Sequence, residues 1–172
     1  IDELLASEHY GERWGRHWLD IARYADTRGE QNNNRRLEDR MMHAWTYRDW
    51  VITSLNADMP YNEFIKKQIA ADLLPGIGER DPELAALGFL TVHRAVGNKQ
   101  ELIDDQIDVV TRGVMGLSVY CARCHDHKFD PVSTKDYYGL YGVFDSIKQD
   151  TNKPLIEDTA QIPMYNDYLR EK

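Results

Sequence analysis

Residues 100–125 read QELIDDQIDVVTRGVMGLSVYCARCH, and this run sets the expected architecture. Its apolar residues recur at spacings of three and four, which predicts a helix over 100–120 that is buried at its far end. Gly113 and Gly116 predict that another helix or a flat group packs closely against the backbone. Val114 and Val119 would also suit a strand. The apolar set is Leu102, Ile103, Ile107, Val110, Val114, Leu117 and Val119.

Five further segments also have helical signals. The apolar periodicity, the prolines and the capping residues predict helices over 3–26, 44–56, 61–74, 82–90 and from the Ser133–Asp136 capping box to about 147. We expect three of these helices to bury one apolar face each. The predicted inward residues are Trp14, His17, Trp18, Ile21 and Tyr24 in the first, Trp45, Ile52 and Leu55 in the second, and Phe64, Ile65, Ile69 and Leu73 in the third.

The composition excludes some classes of protein. The net charge of −8 over 172 residues argues against general nucleic-acid binding, and no apolar run approaches the length of a membrane span. Residues 27–43 are polar and rich in asparagine, which predicts a long exposed loop. The chain begins without a methionine, as expected of a mature product or of one domain of a longer parent protein.

The only two cysteines are Cys121 and Cys124, and His125 follows them directly. A disulfide across this spacing would close a very small loop and add little stability. Cys-x-x-Cys-His is the attachment motif of c-type haem, in which two thiols add to the two vinyl groups of one porphyrin and the histidine ligates the iron. We therefore expect one covalent haem c, bound by Cys121, Cys124 and His125.

A zinc site, a redox pair and an unliganded cluster are the alternatives to haem. Cys121, Cys124, His125 and His127 could supply zinc ligands, although all four lie within seven residues and a structural zinc site usually takes ligands from two distant segments. A thioredoxin-like redox pair lacks the βαβ pattern that would surround it. The cysteines and histidines could also have no ligand at all.

The second axial ligand of the iron would decide the function. His17 is the first candidate because it lies on the apolar face of the first helix, and Met59 and His127 follow, with His9 and His93 as further possibilities. Haem propionates need cationic partners, for which Arg123 is a candidate. Trp14 and Tyr138 are expected to line the macrocycle. Each of these side chains would also suit an ordinary helical surface or core.

Three segments, in the same order, resemble one known family. They are 9–26 (HYGERWGRHWLDIARYAD), 45–75 with its WTYRDW and NADMPY motifs, and 121–144 (CARCHDHKFDP followed by DYYGLYGVF). Together the chain resembles the planctomycete-type cytochrome domain of unknown function over about residues 3–148. The resemblance implies a secreted, multidomain parent protein that carries haem, and it implies no known reaction.

The expected fold is all-α, with five to six helices packed around one covalent haem and an irregular C-terminal tail. Residues 1–149 would form the haem-binding domain and 150–172 a linker or extended arm. We expect an extracytoplasmic electron-transfer module, periplasmic or secreted, that meets a redox partner domain or protein. The alternatives are a peroxidase-like haem oxidoreductase with an open distal site and a zinc-stabilised structural or binding domain. Whether the chain is an enzyme stays open.

Overall fold

The computed structural model describes residues 1–27, 41, 43–92 and 98–147. This part of the chain is helical and holds no β-strand, in agreement with the all-α prediction. No helix within it is long and apolar enough to cross a membrane. The helices are α1 (Asp2–Leu5), α2 (His9–Ile21), α3 (Ala44–Asn56), α4 (Tyr61–Ala70), α5 (Lys99–Met115) and α6 (Thr134–Asp145), with 3₁₀ helices η1 (Ala71–Leu73), η2 (Pro82–Leu90) and η3 (Val119–Arg123). The predicted loop at 27–43, for all but three of its residues, and the predicted arm at 150–172 lie outside the described residues.

Helix α5 ends earlier than predicted, at Gly116. This glycine has a left-handed φ of 70°, and its N–H donates to the carbonyl of Arg112, which is a common way to end a helix. Val119 therefore lies in η3, neither in a longer helix nor in a strand. The predicted close packing is confirmed at Gly113, where a Cβ would come within 2.8 Å of Ile21. At Gly116 no other helix of the described residues packs closely, because a Cβ there would meet nothing within 4 Å; packing of a flat group against it stays a prediction.

The predicted first helix is divided into α1 and α2, and α2 buries a face that the apolar pattern did not indicate. Gly11 and Gly15 are buried against α3, and a Cβ at Gly11 would collide with the Ile52 carbonyl oxygen. Trp14 is 52% exposed and His17 is also exposed, so the prediction that they face the core is wrong. The reason is that α2 and α3 approach each other closely at Gly11, where no Cβ fits, and a Cβ at Gly15 would already lie 3.4 Å from Ile52.

Helices α3 and α4 begin where predicted, but their buried faces also differ from the prediction. Trp45 is half exposed, while Tyr47 and Trp50 are buried instead. In α4, Gln68 is fully buried beside Phe64, whereas the predicted inward residues Ile69 and Leu73 are exposed. Polar side chains can occupy inward positions here because they bond to one another, which an apolar pattern does not register.

The buried residues form two clusters, and α5 contributes to both. The first cluster holds the large aromatic rings of α2–α4 and η2, and Val109 of α5 belongs to it. The second cluster is smaller and packs α5, η3 and α6 together. It consists of Ile103, Ile107, Val119, Ala122 and Tyr137, with Leu117, Val132, Tyr141 and Phe144 packed against it. The Cys-x-x-Cys-His segment lies on this second cluster.

Candidate functional site

The two cysteines lie on the outer side of η3. Val119 and Ala122 are buried in the second cluster, and they are three residues apart. A 3₁₀ helix has three residues per turn, so residues i and i+3 lie on one face. Cys121 lies within η3 and Cys124 directly follows its last residue, and both are exposed with free thiols. The local structure thus exposes two free thiols on one short turn.

The imidazole of His125 has a defined tautomer. Its Nδ1 lies 2.8 Å from the backbone carbonyl oxygen of Asp126, and a carbonyl can only accept, so Nδ1–H is the donor. Nε2 then carries the lone pair that could ligate a metal. Histidines that ligate metals commonly donate their other ring N–H to a backbone carbonyl or carboxylate, which orients the ring. His125 is exposed and in this orientation suits an axial ligand.

The loop after His125 is folded around His127. The Nδ1 of His127 accepts from the backbone N–H groups of Asp130 at 2.9 Å and Phe129 at 3.3 Å. Its Nε2–H is left to donate to Ser118 Oγ at 3.0 Å, just before η3. Asp130 Oδ2 lies 3.3 Å from the same Nδ1. This contact would be an ion pair only in a protonated ring, whose Nδ1 could no longer accept from the two N–H groups. His127 would have to lose these bonds to become a distal haem ligand or a zinc ligand.

Asp126 links the same loop to α6. Its Oδ1 accepts from the backbone N–H of Thr134, the first residue of α6, at 2.8 Å. The predicted capping box follows directly and is confirmed, because Ser133 Oγ accepts from the Asp136 N–H while the Asp136 carboxylate accepts from the Ser133 N–H. The side-chain and backbone bonds with Ser133 lower the pKa of Asp136. These contacts place residues 125–133 between η3 and α6.

A buried carboxylate joins three elements beneath the cysteines. Asp104 of α5 is only 5% exposed, and its two oxygens accept from different partners. Arg123 Nη1, between the cysteines in sequence, donates to Oδ2 at 2.5 Å, and the Tyr137 hydroxyl of α6 donates to Oδ1. The pKa of Tyr137 is raised mainly by burial, and further by its hydrogen bond to Asp104 and by the negative charge of that residue. The phenol therefore stays protonated and remains a donor. The guanidinium of Arg123 also lies 3.4 Å from the Tyr120 hydroxyl.

Several apolar side chains are exposed in the segments that flank the cysteines. Phe129 is 83% exposed, and Met115 is also largely exposed at the end of α5. Tyr120 lies next to Cys121 and Tyr138 lies on α6; both are about half exposed. Exposed large apolar groups are a cost to a soluble surface, and a concentration of them indicates a surface that another group covers.

Three of the predicted site residues come together elsewhere. Trp14, His17 and Met59 line one groove of about 350 Å³ between α2, α3 and α4, and the rings of Trp14 and His17 are 5.4 Å apart. The groove is lined by none of the residues 121–125. His9 is exposed and bonds to Glu12, and His93 lies outside the described residues. The role of His17 or Met59 as a distal ligand therefore stays a prediction.

Sequence reasoning missed the role of Asp104 and the partner of His127. Asp104 stands beside Ile103 and one turn before Ile107, so an acidic residue on an apolar face was the available signal. The Ser118–His127 bond joins residues nine positions apart and had no such signal. Within the described ranges, no three His, Cys, Asp or Glu side chains converge as a metal-ion site.

A family model described as PSCyt2, protein of unknown function (DUF1549), matches residues 1–149. No curated protein and no solved structure matches the chain.

Proposed function

Since the chain belongs to the PSCyt2 family of proteins of unknown function, we propose from its own residues that it is a c-type haem domain that transfers electrons. Cys121 and Cys124 would hold the porphyrin covalently, and His125 Nε2 would ligate the iron. The second axial position would be taken by a ligand still to be identified, for which His17 and Met59 are the candidates.

One observation carries this proposal: the three motif residues already have the chemical states that attachment requires. Both thiols are free and exposed, one within η3 and the other directly after its last residue. Each would add across a vinyl double bond, with the sulfur bonding to one carbon and the hydrogen going to the other, so no oxidant is needed. The Nδ1–H of His125 is held by the Asp126 carbonyl, which leaves Nε2 as the ligating atom.

The surroundings fit the group as well. A porphyrin is large, flat and apolar, and Met115, Tyr120, Phe129 and Tyr138 offer exposed apolar surface in the segments around the motif. When bound, haem iron supplies a one-electron redox couple. The protein residues would hold it in place and exclude water from its face.

Electron transfer is the function that the exposed site supports best. The cysteines lie at the surface, so the porphyrin edge that they bind would also lie at the surface, where a partner can approach it. Weak electron-transfer encounters use small interfaces and need no deep substrate pocket. The partner would be another domain of a longer parent protein or a separate redox protein. Location outside the cytoplasm, in the periplasm or after secretion, is part of the proposal because the resemblance implies export.

The proposal is tested by expressing the full chain with export and with c-type haem maturation, and measuring haem that survives denaturation. We expect covalent haem on the unmodified chain. Cys121→Ser and Cys124→Ser should each leave a single thioether or none, with a pyridine haemochrome spectrum shifted towards that of haem with an unreacted vinyl group. His125→Ala should lose the axial ligand and most of the haem. His43→Ala is the matched control, because His43 is an exposed histidine that directly precedes α3.

Two results would overturn the proposal. One is a folded, exported chain without covalent haem, and the other is a pyridine haemochrome spectrum that is the same in both cysteine variants as in the unmodified chain. Zinc bound in stoichiometric amount by the colourless chain, and lost in His125→Ala, would support the structural alternative instead.

A further inference from the structure

The turn that carries the cysteines has few interactions of its own. Helix η3 is five residues long, and short 3₁₀ helices are weakly stabilised by their own hydrogen bonds. Only Val119 and Ala122 anchor it in the second cluster, and both are small or medium-sized. Burial of two such side chains restrains the position of the turn but leaves its rotation and register less restrained.

The buried carboxylate of Asp104 supplies the missing restraint. It receives a charge-assisted hydrogen bond from Arg123, the residue that immediately precedes Cys124, and a second bond from Tyr137 on α6. Such bonds are short and directional, so they define the orientation of the groups that make them. Both oxygens of Asp104 are used, as a buried charge requires.

We propose that Asp104, Arg123 and Tyr137 form a clamp that positions the Cys121–Cys124 turn for haem attachment. Arg123 is then a positioning residue that bonds to Asp104 of α5, in contrast to its expected role as a partner of a haem propionate. The inference rests on the proposed function for its consequence, because the clamp matters only if the two thiols must meet a rigid porphyrin edge. Attachment needs both sulfur atoms at a defined separation, and the clamp acts on the residue between them.

A second buried tyrosine makes it possible to distinguish an effect of the clamp on the cysteine turn from a general loss of stability. The first cluster holds a tyrosine in a comparable setting: Tyr47 is as deeply buried as Tyr137, and its hydroxyl also donates to one buried side chain, Gln68, at 2.6 Å. Tyr47 lies on α3, which packs mainly against α2 and η2 and belongs to the first cluster. Tyr47→Phe therefore deletes the same atom as Tyr137→Phe without touching the turn that carries the cysteines.

The experiment compares haem attachment in full-chain variants made under identical export and maturation. Tyr137→Phe and Arg123→Met are expected to lower the fraction of folded chain that carries covalent haem severalfold, and Arg123→Lys is expected to recover part of it because the charge returns without the planar geometry. Tyr47→Phe should leave the fraction unchanged. Phe64→Leu removes side-chain volume from the first cluster only and serves as a control for a larger loss of stability. It should also leave the fraction of folded chain that carries haem unchanged.

A second measurement keeps the clamp testable without haem. In the apo chain, amide hydrogen exchange over residues 119–125 should accelerate in Tyr137→Phe and Arg123→Met, and should stay as in the unmodified chain in Tyr47→Phe. Equal exchange and equal haem fractions in Tyr137→Phe and Tyr47→Phe would overturn the clamp. A chain that shows the local exchange effect but never carries haem would retain the clamp and overturn the proposed function.

Discussion

The described residues form two buried clusters that are each organised around a tyrosine hydroxyl, and the two clusters differ in the charge of the group that accepts from that hydroxyl. In the first, Trp18 and Tyr47 both donate to the amide oxygen of Gln68, and Gln68 donates in turn to the Phe64 carbonyl. In the second, Tyr137 and Arg123 donate to the carboxylate of Asp104. The acceptor is neutral in one cluster and ionised in the other.

This difference accounts for how far each cluster is enclosed. A neutral amide can be surrounded by large rings, and the ring centroids of Phe64 and Phe89 lie 5.0 and 5.7 Å from that of Trp18, which donates to the amide. A buried carboxylate needs a cation, and that cation keeps one side of the cluster near solvent. The second cluster is therefore small and open, and it carries the exposed cysteines. The first cluster provides the stable body, and the second presents reactive groups.

The largest loss of stability should follow from removal of the side chain that accepts the hydrogen bonds at the centre of either cluster, Asp104 or Gln68. Asp104→Ala leaves the Tyr137 hydroxyl buried without a partner and releases Arg123, so we expect a loss of about 3 kcal/mol in the free energy of unfolding. Gln68→Ala leaves the Tyr47 hydroxyl without its acceptor and the Trp18 Nε1–H with only its 3.1 Å bond to that hydroxyl, and we expect about 2 kcal/mol. Chemical denaturation followed by circular dichroism measures both. A loss in Gln68→Ala that exceeds the loss in Asp104→Ala would contradict the contrast between a neutral and a charged centre.

Glycine-to-alanine substitutions should have opposite effects on stability in α2, which packs tightly against α3, and in α6, which is open on one side. Gly11→Ala places a Cβ against the Ile52 carbonyl and should destabilise the chain by about 2 kcal/mol. Gly139→Ala on α6 meets nothing within 4 Å and should stabilise it by up to about 1 kcal/mol, because alanine favours helix. The unfolding midpoints of the two variants should therefore move in opposite directions. A decrease in both would show that the outer face of α6 is packed.

The two tyrosines should differ by a smaller amount. Tyr137→Phe removes a bond to a carboxylate, which contributes about 2 kcal/mol. Tyr47→Phe removes a bond to an amide, which contributes about 1 kcal/mol, and a longer bond from Trp18 Nε1–H, which keeps its shorter bond to Gln68. The unfolding free energies of the two variants, measured together, should keep this order. The reverse order would mean that the charged centre is weaker than its geometry indicates.

The smallest effect is a loss of stability at alkaline pH. Burial is the first cause that raises the pKa of Tyr47 and Tyr137, and the pKa of partly buried Tyr24 is raised to about 12. In the unfolded chain a tyrosine ionises near about 10, so above that pH the unfolded state gains stability that the folded state lacks. The free energy of unfolding should fall as pH rises from about 10 towards the raised values. Tyr137→Phe should reduce this dependence; an unchanged slope would contradict the buried, neutral phenol.

The sequence predicted the helices well and their faces poorly. Periodicity and capping located α3 and α6, because these signals are local. Burial of Gly11 depends on how closely α3 approaches, and burial of Asp104 depends on Tyr137, which is 33 residues away. Such long-range partners leave no mark in a single apolar pattern.

The candidate site was predicted to a similar extent. The motif identified Cys121, Cys124 and His125 as neighbours with a shared chemistry. The tautomer of His125 depends on the folded loop, because a backbone carbonyl accepts from its Nδ1–H. The hydrogen bonds of both His127 ring nitrogens also depend on it, because their partners are backbone N–H groups and Ser118. Spacing alone therefore left His127 as a possible ligand, and the structure gives it a different set of partners.

We propose that this chain carries haem on both cysteines. This is tested by the intact mass and free-thiol content of the full chain after export with haem maturation, followed by denaturation. We expect a mass increase of one haem, a pyridine haemochrome spectrum typical of two thioether bonds, and a fall in titratable thiols from the two in the sequence to none. An unchanged mass with both thiols still reactive would contradict it.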